Sequence, residues 1–336
     1  MSGQTKSKAP LLSVRNAQVS FSTARGPLRA VDGVSFDLHA GRTLGIVGES
    51  GSGKSVLVRS LIGLVGAGSG AGVAGEVLFE GRDLRSLSPH EFRSVLGTEI
   101  GIVFQDPMTS LNPVMKIGRQ IGEGLRLNRG LDSKAAARRA VELLNEVGIP
   151  EPERRAGQYP HEMSGGMRQR VAIAIAIACA PKLLIADEPT TALDVTVQRQ
   201  ILDLLQGEQR QRGMAMILIT HDLGVAAGRS DDIMVMYAGR AVEAAATRAI
   251  FRSPRMPYTE ALLRSLPRLT DATHTRLSAI PGRPPDLARR SGGCSFAPRC
   301  SYRTERCDAE QPPLTRVDGR GYACFHPRGV EPGAAA

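Results

Sequence analysis

The sequence predicts an α/β fold: a mixed, mainly parallel sheet, an internal helical block, and a small Cys-containing C-terminal unit. Three observations predict it. Short apolar strands alternate with stretches of helical apolar spacing, the pattern of a sheet covered on both faces. A Gly/Ser-rich turn, Gly48 to Ser55, stands between a strand and a helix. After about residue 250 the composition shifts to Pro, Arg and Cys.

The elements follow in order. Leu12–Val14, Val19–Phe21, Val34–Leu38 and Leu44–Val47 read as strands separated by Gly, Pro and Asp. Val56–Leu64 has helical apolar spacing, and residues 66–75 read as a Gly/Ala loop. Val77–Phe79 with a turn at Glu80-Gly81 reads as a hairpin, and Glu99–Phe104 as a further strand. From Asp106 to Met163 the pattern is helical. Ser133 is the expected N-cap of a helix whose face carries Ala136, Ala140, Leu143, Leu144 and Val147, stopped by Gly148 and Pro150. Strand character returns at Leu183–Ala186 and Met216–Thr220, with a helix carrying Val197, Ile201, Leu204 and Leu205 between them. Ile233–Tyr237, Ala238-Gly239 and Arg240–Glu243 read as a closing hairpin. The expected division is a first domain over 11–250, with its helical subdomain at about 106–163, and a second unit over 251–330.

Composition bounds the function. Of 336 residues, 42% are hydrophobic, 23% charged and 4% aromatic, with no Trp. That mix can bury a core, which excludes a wholly disordered or collagen-like chain. The longest apolar run, Val171 to Ala180, is half the length a membrane span needs, and Met1 to Pro10 is polar. The expectation is a soluble cytosolic chain unless a partner anchors it. The net charge of +10 is uneven: residues 251–330 carry 14 Arg against 7 acidic groups. Such a basic segment suits nucleic acid, anionic lipid or an acidic partner, or is simply a solvated surface.

Gly48-Glu-Ser50-Gly51-Ser52-Gly53-Lys54-Ser55 fits the phosphate-binding loop pattern, after a strand and before a helix. Its glycines let backbone N–H groups turn inward around phosphate oxygens, and the helix N-terminus adds positive dipole. Lys54, one of only six lysines against 37 arginines, supplies a point charge, and Ser55 a hydroxyl for Mg²⁺. Val56 continues the loop into the helix. The loop alone does not separate kinases, GTPases and ATPases. Leu183-Leu-Ile-Ala-Asp187-Glu188 narrows the choice, because a strand ending in two acids offers Asp187 to the metal shell and Glu188 to an attacking water. No Asn-Lys-x-Asp guanine-reading motif is present.

Met163-Ser164-Gly165-Gly166-Met167-Arg-Gln-Arg170 lies between these two elements. With the phosphate loop it resembles the ATP-binding cassette (ABC) family, whose signature is Leu-Ser-Gly-Gly-Gln; Met167 departs from the usual Gln. The family's order is otherwise kept, with Gln105 for the Q-loop, Ala192-Leu193-Asp194 for the D-loop and His221 for the switch histidine. The resemblance implies a P-loop NTPase nucleotide-binding domain with a helical subdomain. It also implies two ATPs sandwiched head to tail, each γ-phosphate meeting Ser164, Gly165 and Gly166 of the opposite subunit. Gln105 would reach Mg²⁺ or the water, and His221 the γ-phosphate. Phe21 would stack on adenine, the alternative being an ordinary core Phe.

Further segments look like the peptide importers of bacteria: Gln105-Asp-Pro-Met-Thr-Ser-Leu-Asn-Pro113, His161-Glu-Met-Ser-Gly-Gly-Met-Arg-Gln-Arg170, the Ile250 to Leu263 run, and Ile280-Pro-Gly-x-Pro-Pro-Asp-Leu287. The resemblance covers residues 11 to 326 and is closest to the first of the two ATPases in dipeptide and oligopeptide permeases. It implies a second ABC ATPase forming a heterodimer, two transmembrane permease subunits, a periplasmic or lipid-anchored substrate-binding protein, and a place on the cytoplasmic face of the inner membrane. Relatives carrying nickel, glutathione or oligosaccharides keep the cargo open. A soluble ABC ATPase acting on nucleic acid is the alternative from another class; against it stand the lack of a second cassette and the few aromatics for base stacking in the basic tail.

Cys179 lies in the apolar run and reads as a core residue. Cys294, Cys300, Cys307 and Cys324 contain no C-x-x-C pair and match neither common zinc knuckles nor a simple ferredoxin run. Four thiols in a segment with little apolar content suggest a metal staple, with zinc and free thiols open beside it. The family resemblance implies a [4Fe-4S] cluster on these four.

Overall fold

The computed structural model describes residues 9–24, 26–66, 70–106, 110–191, 193–266, 280–288 and 292–329. The first strands are β1 (Leu12–Thr23), β2 (Gly26–Leu38) and β3 (Thr43–Val47), followed by α1 (Lys54–Leu61). Next come β4 (Ala71–Phe79), β5 (Arg82–Asp83), α2 (Pro89–Thr98) and β6 (Ile100–Val103). A run of helices follows: α3 (Ile117–Arg129), α4 (Ser133–Glu146), α5 (Pro152–Ala156) and α6 (Gly165–Ile177). Strands and helices then alternate through β7 (Leu183–Asp187), α7 (Val195–Arg212), β8 (Ala215–Thr220) and α8 (Leu223–Ala227). The chain closes with β9 (Asp232–Tyr237), β10 (Arg240–Ala246), α9 (Thr247–Arg252), α10 (Pro257–Arg264), α11 (Glu305–Ala309), β11 (Thr315–Val317) and β12 (Arg320–Tyr322). No helix among the described residues is long and apolar enough to cross a membrane. Contacts divide the chain into two units, one built on Ser86–Ile219 with Leu38–Arg42, the other on Leu12–Asp37, Thr43–Arg85 and the residues from Thr220 on.

In the first unit β6, β7 and β8 run parallel, with Ile100 opposite Leu183 and Leu183 opposite Ala215. Every residue of β7 and β8 is buried, which is why these strands read as unbroken apolar runs. α6 buries Val171, Ile173, Ala174 and Ile177, and packs on β6 where Gly101 has no side chain: a Cβ there would stand 2.3 Å from the Ala176 carbonyl oxygen. The helical block forms a core of its own, Ile117, Ile121 and Leu125 of α3 with Ala136, Ala140, Leu143 and Leu144 of α4. The cap of α4 is Asp132, not Ser133. Its Oδ1 accepts from the Ala135 N–H at 2.8 Å, and a carboxylate there adds charge–dipole attraction that a hydroxyl lacks.

In the second unit one sheet has the order β2-β1-β4-β5, and the strands β11-β12-β10-β9-β3 form another run. β3 and β9 are parallel, while β9, β10, β12 and β11 pair antiparallel, so the sheet is mixed as the sequence predicts. Leu12–Val14 and Val19–Phe21 are one strand, interrupted by an irregularity between Arg15 and Gln18. The Gly/Ala stretch expected as a loop ends sooner than expected: residues from Ala71 belong to β4, with Ala71 opposite Phe21. Pairing with β1 overrides the low strand propensity of Gly and Ala there. The Tyr237–Arg240 hairpin is present, but it does not close the sheet, because β12 pairs on β10 with Tyr322 opposite Glu243.

The described residues of the Cys-bearing segment contribute to a shared core. Cys294, Phe296, Ala297 and Cys307 share one apolar cluster with Val47, Val235, Tyr237 and Tyr258. These residues pack against β3, β9 and α10.

Candidate nucleotide site

The phosphate loop leaves β3 at Val47 and enters α1 at Lys54. Gly51 and Gly53 sit at φ +79° and +99°, backbone that favours glycine. At Gly48 a Cβ would meet the Met236 carbonyl oxygen at 2.2 Å, so the close approach of β9 dictates the glycine. Lys54, 4% exposed, donates from Nζ to the carbonyl oxygens of Gly48 at 2.8 Å and Glu49 at 3.1 Å, arching over the loop. Ser52 is buried and its Oγ is unpartnered, while its carbonyl accepts from the Gly239 N–H at 2.9 Å. Ser50 and Gly51 are exposed; Ser55 and Val56 are half-buried on the first turn of α1. A helix N-terminus entered through two left-handed glycines suits an anion. In the same unit Phe21 is half-buried on β1, and His221 is exposed after β8.

The first unit carries the acids. Asp187, 1% exposed, ends β7, and Glu188 follows in left-handed backbone at φ +46°. The Glu188 N–H donates to the Ile219 carbonyl at 3.1 Å, which aims its side chain off the strand end. Its Oε2 accepts from Thr191 Oγ1 at 3.2 Å and from Gln105 Nε2 at 3.4 Å. The structure thus brings Gln105 and Glu188 together. For Thr191 the sequence offers no signal beyond its spacing three residues after Glu188.

Ser164 caps α6, its Oγ accepting from the Met167 N–H at 3.3 Å. Ser164 and Gly165 are exposed, and Gly166 and Met167 are half-buried. Asp194 caps α7 in the same manner, accepting from Val197 N–H at 2.9 Å, and Val197 lies against Gly166. Ala192 lies outside the described residues, as do Pro107 to Thr109 of the segment after Gln105.

Comparison with known proteins decides the family. Residues 31–191 match the family described as ABC transporter, and residues 242–307 match the oligopeptide/dipeptide transporter C-terminal region. A putative peptide import ATP-binding protein of Brucella melitensis is 50% identical over 93% of this chain and 95% of its own length. The oligopeptide transport ATP-binding protein OppD of Bacillus subtilis is 52% identical, covering 93% of this chain and 87% of its own. The dipeptide transport ATP-binding protein DppD of Escherichia coli is 49% identical, covering 94% and 97%. The chain belongs to the ABC transporter family. Among solved structures, the cassette MJ0796 as a dimer bound to ADP and Pi is similar to 70% of this ABC chain at TM-score 0.63 and 28% identity, covering 99% of that cassette. The cassette cbiO1 of Clostridium perfringens is similar over 73% at TM-score 0.61 and 28% identity, with 91% of its own length covered.

Two further features belong to this cassette. Between α3, α4 and α5 lies a groove of about 560 Å³ lined by Lys116, Arg119, Glu123 and Arg126 among others. The four cysteines all line one cavity of about 10 Å³, together with Phe296, Pro312 and Phe325. Cys300 Sγ accepts from the Tyr302 N–H at 3.4 Å and Cys324 Sγ from the His326 N–H at 3.3 Å. Burial pushes the thiols of Cys294, Cys300 and Cys324 up, that of Cys324 to about 12. Among the described residues no group of three or more His, Cys, Asp or Glu is arranged around the position of a single metal ion. The sulfurs converge on one cavity without closing around a single-ion centre, so neither the cluster nor zinc is shown.

Proposed function

We propose that this chain is the ATP-hydrolysing subunit of a bacterial ABC importer, powering uptake of dipeptides or oligopeptides through partner permeases. The observation that carries the reading is that one chain joins the cassette motifs to a C-terminal region of the oligopeptide/dipeptide transporter type. In this reading the loop from Gly48 through Ser50, Gly51, Ser52 and Gly53 to Val56 holds the ATP phosphates on its N–H groups, and Lys54 adds charge to the β- and γ-phosphates. Phe21 stacks on adenine. Ser55 offers an oxygen of the kind a hard cation takes, as do Asp187 and Gln105, and Mg²⁺ would neutralise phosphate charge. Glu188 accepts a proton from the attacking water, with Gln105 and Thr191 fixing its carboxylate. His221 donates to the γ-phosphate.

Ser164, Gly165, Gly166 and Met167, with Asp194 behind them, meet the ATP of a second ABC ATPase subunit. The exposure of Ser164 and Gly165 supports that role. The α3–α5 groove receives one of two transmembrane permease subunits, which places the chain on the cytoplasmic face of the membrane; a substrate-binding protein completes the system. Glu188→Gln tests the reading. ATP binding should persist while kcat falls at least about a hundredfold, the range of a lost general base; unchanged hydrolysis overturns the role.

The finer part of the proposal is a [4Fe-4S] cluster on Cys294, Cys300, Cys307 and Cys324, acting as a structural staple. Its support is the donor set: four thiols on one apolar-walled cavity, with backbone N–H groups already donating to two sulfurs. Anaerobic purification followed by iron and sulfide analysis decides it. About four of each per chain is the expected result, and a colourless, iron-free protein rejects the cluster.

A further inference from the structure

The phosphate loop is tied to the Cys-bearing segment by side chains that no motif includes. Glu49, the second residue of the loop, takes a two-pronged ion pair from Arg299: Nη1 to Oε2 at 2.6 Å and Nη2 to Oε1 at 2.9 Å. The Arg299 side chain is only 4% exposed. Its remaining donors are used as well, Nε on the Pro281 carbonyl at 2.8 Å and Nη1 on the Tyr237 hydroxyl at 3.2 Å. From the other side the Glu49 backbone N–H donates to the Tyr258 hydroxyl at 2.9 Å, so both the main chain and the side chain of this residue are held.

The seat is rigid. Tyr237, Tyr258 and Phe296 pack ring against ring with centroids 4.5 to 5.3 Å apart, and the guanidinium lies about 6 Å from two of the rings. Arg299 itself rides on a tight turn between two of the four cysteines: the Ala297 N–H donates to the Cys294 carbonyl, and the Cys300 N–H to the Ala297 carbonyl. A planar fork in a desolvated seat holds a carboxylate in one orientation, which a flexible ammonium does not.

We infer that Arg299 is a positioning residue of the nucleotide site, fixing the first turn of the phosphate loop through Glu49, so that the C-terminal segment sets nucleotide affinity. Glu49 is followed at once by Ser50 and Gly51, the exposed crest of the loop. Its displacement would carry the crest N–H groups away from the phosphates, while the acids of the first unit stay as they are. The loss therefore falls on ATP affinity and KM, and kcat at saturation is spared. The inference rests on the nucleotide reading above, and one control separates the two.

The test measures ATP affinity and the KM and kcat of hydrolysis on the full chain and its assembled transporter, for Arg299→Met, Arg299→Lys, Glu49→Gln and the Arg299→Met/Glu49→Gln double variant. Arg299→Met and Glu49→Gln should each raise Kd and KM about tenfold with kcat within a factor of two. Arg299→Lys should fall between them and the parent. The double variant should lose no more than either single change, because both remove the same tie. Glu49→Gln keeps the shape of the side chain and preserves the test if Arg299→Met fails to fold. Parent-like affinity in folded Glu49→Gln, or losses that multiply in the double variant, overturns the inference. Lys54→Ala is the control: if it too binds ATP as the parent does, the nucleotide reading itself has failed.

Discussion

Gly53 shows how tightly single residues are specified around the loop. It combines left-handed backbone at φ +99° with a Cβ position 2.3 Å from the Ala30 carbonyl oxygen. Gly51, also left-handed at φ +79°, has nothing within 4 Å of its Cβ position. The two glycines therefore separate strain from crowding. Gly51→Ala should cost only the backbone strain, about 1 kcal/mol, in the urea midpoint. Gly53→Ala should cost more than about 2 kcal/mol, since the Ala30 backbone must also move, and should abolish binding of a fluorescent ATP analogue. Equal costs at the two positions would mean that the contact with Ala30 is not felt. Glu188 is the opposite case, a side-chain-bearing residue held at φ +46° by its N–H bond to Ile219. Strain kept at that position is consistent with a site that needs the carboxylate turned out from the end of β7.

Helix ends carry much of this chain's chemistry, and they let stability be told apart from function. Ser164 caps α6 and Ser88 caps α2, each accepting from the backbone N–H three residues on, at 3.3 and 3.4 Å. Replacing either with Ala should lower stability by about 1 kcal/mol. Ser164→Ala should in addition lower ATP turnover of the assembled transporter at least about tenfold, while Ser88→Ala leaves it unchanged; matched thermal melts and phosphate-release rates check both. The same ends mark what was legible in the sequence. β7, β8 and the phosphate loop were readable because burial on both faces and a Gly-rich turn between strand and helix leave local patterns, whereas the cap of α4 falls one residue before the Ser133 that the sequence suggests. α2 carries a local trace as well, the capping box Ser88-Pro-His-Glu91. The register of β4 and the addition of β12 to β10 had no such local trace. Both are set by long-range pairing, as is the tie between Glu49 and Arg299 across 250 residues. The cysteines were readable as a group. That they meet at one cavity depends on the packing of Phe296 and Phe325, which spacing does not encode.

At the scale of the whole molecule the question is where the excess charge goes. Residues 251–330 hold 14 Arg against 7 acids, a balance that on sequence grounds suits nucleic acid as well as a protein partner. Several of these arginines are paired with carboxylates, Arg299 and Arg320 in largely buried seats and the others at the surface. Arg299 is committed to Glu49, Arg303 to Asp308 at 2.7 Å and Arg264 to Glu260 at 2.7 Å. Arg320 lies 3.6 Å from the fully buried Glu243, whose carboxyl burial pushes above its usual range. Arg306 and Arg328 each pair with an acid and also cover a ring, Phe325 at 4.1 Å and Tyr302 at 4.0 Å. Phosphate-backbone binding draws its free energy from counterions released by uncommitted Lys and Arg, and each neutralised phosphate adds about one unit to the salt slope. Guanidiniums already spent on carboxylates contribute little to that release. Fluorescence anisotropy with a labelled DNA duplex should therefore show no saturable binding by the full chain at about 150 mM salt, and only weak binding at about 50 mM. A steep slope with several phosphates neutralised would restore a nucleic-acid role to the C-terminal segment.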